Sequence, residues 1–239
     1  MTSMPRPDAI ATALTELEER GWAIVPCDAP DLLARVADDV KRIAAGIAGS
    51  RAGDDLRGMV SGFSPSELNR LLREVNNALA EDGLSLLEPF RGMIRSLCGD
   101  QVLYQRRPYL RANVPGLAHT ATEPHSDVFY GHSPYAYTMW IPLHDVDNDD
   151  GLFVFDRAES EDILADYGFD KPLRAALDRP APAPLRLRFG EAIFFSCYLI
   201  HGALPCSGSL PRLSLDTRVQ AAKAPLFEKG AELYGLVRS

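Results

Sequence analysis

A change of hydrophobic period near residue 101 limits what this chain can fold into more than any other feature. Before it, apolar residues recur at helical spacing: Ile10, Leu14 and Leu17 fall in a stretch over 8–20 that Gly21 stops. A second helical stretch fills 30–48, with Trp22–Val25 between the two reading as a short strand. Ser64, Pro65 and Glu67 form a capping box with proline at the first helical position, so a third helix starts at Ser64. A fourth helical stretch, about 84–97, ends at Gly99. After residue 101 the apolar runs shorten to Val102–Gln105, Leu110–Asn113, Tyr137–Leu143, Leu152–Phe155, Leu185–Phe189, Ala192–Leu199 and Leu213–Val219. They are β-rich and punctuated by Gly, Pro, Asn and Asp, the texture of an antiparallel sandwich or barrel.

The fold class expected is therefore α+β: a double-stranded β-helix (a jelly roll, cupin-like) with N-terminal helices packed outside. A chain of 239 residues suits one such domain, with 1–100 a mainly helical preface and 101–220 the core. A helical insertion over 159–178 interrupts the strands and returns through the Arg-Pro-Ala-Pro-Ala-Pro run at 179–184. Long excursions on such scaffolds often cover a site, so 159–184 is expected to act as a mobile flap.

The chain is acidic, with a formal net charge of −8. No basic face is evident, which argues against nucleic acid and leaves a neutral or cationic small molecule as the favoured ligand. The start has no apolar signal region, and no stretch approaches the length of a membrane span, so a cytoplasmic location is expected. The four cysteines lack C-x-x-C spacing and read as reduced thiols, with Cys197 a small buried hydrophobe. The acidic run Asp145, Asp147, Asp149 and Asp150 lacks the later Glu of a calcium loop and reads as an acidic turn. Oligomeric state is not legible here.

Chemistry concentrates at His125, Ser126 and Asp127, with a second histidine, His201, following the apolar run Ala192–Ile200. On a strand, His125 and Asp127 point to one face and can chelate one ion. Two neutral imidazoles and one carboxylate leave three open positions on a metal, the facial triad of non-haem Fe(II) oxygenases. Eleven residues after His201 stands Arg212, opening the run Arg-Leu-Ser-Leu-Asp-Thr-Arg. A planar guanidinium can clamp the far carboxylate of a dicarboxylate co-substrate. Strand parity puts Arg212, Ser214, Asp216 and Arg218 on one face, and Thr138 and Trp140 on one face of their own strand. His132 is the one competitor as a ligand, but Gly131 between it and Asp127 spoils shared-face geometry.

Over roughly 100–220 the sequence resembles the phytanoyl-CoA-dioxygenase-like branch of the Fe(II)/2-oxoglutarate oxygenases. The likeness is to the small bacterial members that tailor sugars and antibiotics. It rests on the His-x-Asp, the Trp-Ile-Pro-Leu strand, the Leu-Ile-His-Gly strand and the Arg-x-Ser pair. The resemblance implies Fe(II) on His125, Asp127 and His201, with 2-oxoglutarate and O₂ as co-substrates. It also implies that Arg212 and Ser214 receive the C5 carboxylate, with Trp140 and Thr138 as its walls. 2-Oxoglutarate would be decarboxylated to succinate while the substrate is hydroxylated, desaturated or cyclised. Tyr130, Tyr135, Arg218 and Arg111 are expected to face the substrate. Arg218 has a second reading, as a structural partner of Asp216 or Asp127, and Trp140 and Thr138 as core. An aspartate at 127 excludes the halogenase variant, which needs a smaller residue there.

The expected substrate is a hydroxyl-rich natural-product intermediate, with orthoester formation in an oligosaccharide or aminoglycoside antibiotic one outcome, and a free amino acid or polyketide next. A coenzyme A thioester is disfavoured because no basic cluster would receive its phosphates. Two other classes remain open: a zinc-dependent hydrolase or metal isomerase, and a non-catalytic binding jelly roll.

Overall fold

The computed structural model describes residues 7–81, 84–147, 151–166, 180–229 and 233–238. Helix α1 (Pro7–Arg20) leads into strand β1 (Trp22–Pro26), followed by α2 (Pro30–Ala48), α3 (Leu56–Ser61), α4 (Pro65–Glu81) and α5 (Arg91–Cys98). Strands β2 (Gln101–Gln105), β3 (Tyr109–Asn113), β4 (Thr122–His125), β5 (Tyr137–Pro142) and β6 (Leu152–Val154) come next. Then α6 (Arg157–Asp166), β7 (Glu191–Ser196), β8 (His201–Ala203), β9 (Arg212–Ala221) and β10 (Tyr234–Arg238) complete the order.

The strands form two antiparallel sheets. The larger runs β1-β7-β5-β9-β2-β10, with β3 also on β9; the smaller is β4-β8-β6. The large sheet is two-faced because its strands alternate. Met139, Ile141, Ala192, Phe194, Leu213, Leu215 and Val219 lie in one apolar cluster with the helices. Trp140, Ile193 and Phe195 join Leu152 and Val154 of the small sheet in another, so they face the space between the sheets.

The helices that cover the outer face do so through apolar stripes. Leu33, Val36, Val40, Ala44 and Ile47 of α2 are buried at helical spacing, as are Leu68, Leu71, Val75 and Leu79 of α4. Each fully buried Leu or Val contributes about 1.5–3 kcal/mol relative to exposure. The capping box forms as expected: the backbone N–H of Ser64 donates to Glu67 at 2.8 Å, and that of Glu67 donates to the Ser64 hydroxyl at 3.3 Å.

Several sequence expectations need correction. The stretch 84–97 is not one helix: α5 starts at Arg91, after a short 3₁₀ turn at Glu88–Phe90 with a proline, Pro89, at its centre. Leu185–Phe189 is not a strand: it contributes the isolated bridge Leu187↔Val146 and a bond from Leu185 N to Leu152 O at 2.7 Å. The run Ala192–Leu199 ends early at Ser196, and the chain turns before β8 begins at His201. Helix α3 and strands β4, β8 and β10 carry patterns too short to stand out. β10 pairs with β2, so the large sheet extends past residue 220, and β1 of the helical preface pairs with β7. Of the expected insertion, α6 is present, while 167–179 lie outside the described residues, as do Asn148, Asp149 and Asp150. No described helix is long and apolar enough to cross a membrane.

Candidate metal centre

His125, Asp127 and His201 come together between the two sheets, each offering a ligand atom within 4.8 Å of the others. The register explains the approach: His125, last in β4, pairs directly with His201, first in β8. Their rings stand 4.3 Å apart between centroids. Gly202 is what lets the strands close. A Cβ there would meet Thr122 O at 2.9 Å and the Phe153 ring at 2.8 Å.

Asp127 does not reach the site by strand alternation, as the sequence reading supposed. The chain leaves β4 at His125, and Asp127 opens a 3₁₀ turn capped by the Ser126 hydroxyl, which accepts from Val128 N. Ser126 is anchored in turn, donating to Cys197 O at 2.9 Å. Two residues of spacing thus deliver a shared face by a turn rather than by a pleat.

Both histidines have one ring nitrogen committed. Nδ1 of His125 lies 2.8 Å from Glu123 O, and Nδ1 of His201 lies 3.1 Å from Leu199 O. A backbone carbonyl can only accept, so each Nδ1 carries the proton and each Nε2 keeps its lone pair for a ligand role. Burial, foremost, pushes the His201 pKa down to about 4, so the ring is neutral and ready to donate to a cation.

Asp127 is 2% exposed, and burial by itself would raise its carboxyl. The Arg218 guanidinium, then His125, His201 and the Thr138 hydroxyl, outweigh that and hold it well below the usual range. Arg218 Nε and Nη2 lie 3.1 and 3.0 Å from Oδ2, and Thr138 donates to the same oxygen at 2.5 Å. Oδ1 receives Arg218 Nη2 at 2.9 Å and faces His125 Nε2 at 3.7 Å. The crowded oxygen is therefore Oδ2, and Oδ1 is the one turned toward the imidazoles.

Arg218 is 3% exposed and also reaches Asp216 Oδ2 at 3.2 Å and Gln105 Oε1 at 3.4 Å. Its fork is taken up by protein groups, so the structural reading replaces the expected substrate contact. Thr138 donates to Asp127 and also lines the pocket beside the triad. Asp216 is itself held below the usual range: burial opposes, but Arg111 and then Arg218 prevail. Its Oδ1 has no hydrogen-bond partner among the described residues.

The pocket beside the triad is lined by His125, His201, Trp140, Arg212, Asp216 and Arg111, among others. Arg212 is 3% exposed and donates through Nη1 to the Ser214 hydroxyl at 2.6 Å, with its guanidinium 5.4 Å from the Trp140 ring centroid. These positions match the expected face of β9 and its neighbour, since Trp140 pairs with Asp216 across β5 and β9. Arg111 is half exposed at the pocket and 3.2 Å from Asp216. Tyr130 packs edge-on against His125 at 5.1 Å, with 62% of its surface open. Tyr135 is also exposed and is not among the pocket's walls.

His132 is no ligand. It is buried away from the triad, its Nδ1 2.9 Å from the Tyr234 hydroxyl and its Nε2 2.8 Å from Lys229 Nζ. Cys197 is fully buried, as expected. Phe195, whose ring lies 4.6 Å from that of His201, went unremarked because a strand phenylalanine carries no sequence signal beyond core.

No protein-family model and no curated protein matches the chain. Solved structures do. One is the non-heme alpha-ketoglutarate-dependent epimerase SnoN from nogalamycin biosynthesis, 20% identical over 95% of this chain and 89% of that one, with a TM-score of 0.59. The non-heme monooxygenase ThoJ, as its nickel complex, is 15% identical over 94% and 83% of the two chains, with a TM-score of 0.57. AviO1 from Streptomyces viridochromogenes Tue57 is 18% identical over 91% and 97%, with a TM-score of 0.56. At this identity the likeness is one of architecture: the chain has the mixed helix and antiparallel-sheet fold of these proteins.

Proposed function

We propose that this protein is a single-domain Fe(II)- and 2-oxoglutarate-dependent oxygenase on a double-stranded β-helix, using O₂ to modify a small natural-product intermediate. One observation carries the reading. Two Nε2 lone pairs and one carboxylate oxygen converge in a pocket whose far wall is a buried arginine, Arg212. The donor set suits iron, since imidazole and carboxylate with open positions are the ligands of the facial triad.

His125, Asp127 and His201 would hold the metal, and Arg212 with Ser214 would receive the C5 carboxylate of 2-oxoglutarate. Bound there, the metal and co-substrate supply the oxidising power that removes a hydrogen from the substrate. The protein's residues orient and exclude. Arg218 and Thr138 fix Asp127 with Oδ1 turned toward the imidazoles, where it would help hold a metal. The carbonyls of Glu123 and Leu199 fix both imidazole tautomers. Arg212, buried against Trp140, presents its guanidinium to a carboxylate in a site with little competing water.

For the substrate, the acidic chain and the exposed Tyr130 beside His125 favour a polar, neutral or cationic molecule. Hydroxylation or oxidative cyclisation, orthoester formation included, fits that surface. The architectural neighbours SnoN and SnoK, an epimerase and a carbocyclase from nogalamycin biosynthesis, support a tailoring role. The deciding experiment is succinate release from 2-oxoglutarate with added Fe(II) and ascorbate. Activity that depends on both and is lost in His201→Ala supports the reading. Metal binding without any 2-oxoglutarate turnover, coupled or uncoupled, would return the zinc-hydrolase class to first place.

A further inference from the structure

Behind the metal centre lies a second cavity of about 220 Å³ whose chemistry the oxygenase reading does not use. Its walls include Arg106 and Arg107 from the β2–β3 loop, Lys229, His132, Tyr234 at the head of β10, and Gln105. Three of these side chains are cationic, and none of the lining residues is a carboxylate. Arg106 spends Nε on Tyr234 O at 2.7 Å, and Arg107 spends one amine on Asn77 at 2.7 Å. Their remaining N–H groups are left over. In a chain of net charge −8, a concentration of positive charge with no carboxylate among its described walls is out of character.

The floor of the cavity is a wired set of donors. An ammonium can only donate, so Lys229 Nζ donates to His132 Nε2 at 2.8 Å. The ring proton then sits on Nδ1 and donates to the Tyr234 hydroxyl at 2.9 Å. That leaves the phenolic proton, and two ammonium protons, to point elsewhere. His132 is 3% exposed and Tyr234 is equally buried, so this arrangement is fixed by packing and does not drift in solvent. Burial first, and then Arg218, depress Lys229, and the same two causes push His132 down to about 3.

We infer that this cavity is a binding site for a small oxyanion, a phosphate or a carboxylate, held by Lys229, Arg106, Arg107 and the Tyr234 hydroxyl. These four groups are all donors, and an anion with several acceptor oxygens satisfies them together. The site backs onto the metal centre, since Gln105 also accepts from Arg218, the partner of Asp127. It does not share Arg212 or either metal histidine, so it stands whether or not the oxygenase reading does.

The test is calorimetric titration of the full chain with inorganic phosphate and, separately, with succinate at constant ionic strength. Succinate also suits the Arg212 pocket, and phosphate suits a bound metal. Arg212→Ala and His201→Ala chains are therefore titrated in parallel, and the signal should survive in both. Lys229→Met and Arg107→Gln, both changes at partly or fully exposed positions, should each weaken it at least tenfold with the circular dichroism unchanged. Response to phosphate alone assigns a phosphoryl group, and to succinate alone a carboxylate. Absence of saturable binding of either, or binding that both variants leave intact, overturns the inference.

Discussion

Replacing Arg218 by methionine tests the electrostatic construction of the metal centre directly. The guanidinium is the cation in contact with Asp127, and the two side chains are only 4% and 3% exposed. Removing it leaves Asp127 with a single hydroxyl donor, Thr138, and the edge of His125. Asp216 keeps Arg111 but loses its buried partner. Deleting one member of a buried pair costs about 3–5 kcal/mol, because the orphaned charge stays out of water. Against a total stability of about 5–15 kcal/mol that is a large fraction, and at a slope near 2 kcal/mol per molar it moves the urea midpoint by roughly 1.5–2.5 M. The loss has a distinctive dependence on metal. A divalent ion against Oδ1 supplies the missing positive charge, so the metal-loaded variant should recover a good part of the deficit, whereas wild type gains only its ordinary ligand stabilisation. The double variant Arg218→Met/Asp127→Asn, in which Asp127 no longer carries an orphaned charge, should also be more stable than Arg218→Met alone. Urea unfolding of all three chains, with and without metal, measures each difference. A loss below about 1 kcal/mol in metal-free Arg218→Met, or a double variant less stable than the single, refutes the account.

Arg212→Ala should raise the apparent KM for 2-oxoglutarate about tenfold to a hundredfold, since it deletes a charge-assisted contact of roughly 1.5–3 kcal/mol; an unchanged KM removes Arg212 from the co-substrate site. Metal-free stability should fall as pH drops below about 6.5, where the unfolded chain protonates histidine, while folded His201 and His132 resist until about 4 and about 3. The unfolded state then holds more protons, so each histidine removes up to about 1.4 kcal/mol per pH unit, and His132→Gln should flatten the urea-midpoint slope by about half; a slope unaltered by that change contradicts the shift. Gly151→Ala should cost at least about 1–3 kcal/mol, because φ is +84° and the new Cβ would lie 2.5 Å from Leu204 O; a melting temperature within error of wild type would show that the chain beside the β6–β8 pair gives way freely.

The sequence by itself determined the period of each half, and with it the layers. Alternation along Tyr137–Ile141 and Arg212–Val219 already separated the residues that face the helices from those that face the pocket, since a strand has no other way to dispose its side chains. The capping box set the start of α4, where two reciprocal hydrogen bonds are local and need no tertiary help. The His-x-Asp, the distal histidine and the arginine beyond it were legible because residue types with few structural uses stand there together. What only the tertiary structure decided was pairing. Arg218 could have faced a ligand or a carboxylate, and nothing in its neighbours along the chain separates the two. Its partner Asp127 arrives by a 3₁₀ turn, and its burial comes from strands far apart in sequence. His132 looked like a spare ligand until folding turned it to Tyr234 and Lys229, a hundred residues on. The strand β10 and the bounds of the short strands β4 and β8 escaped notice for the same reason. Three to five residues cannot display a period, and they are strands only because a partner strand offers them hydrogen bonds.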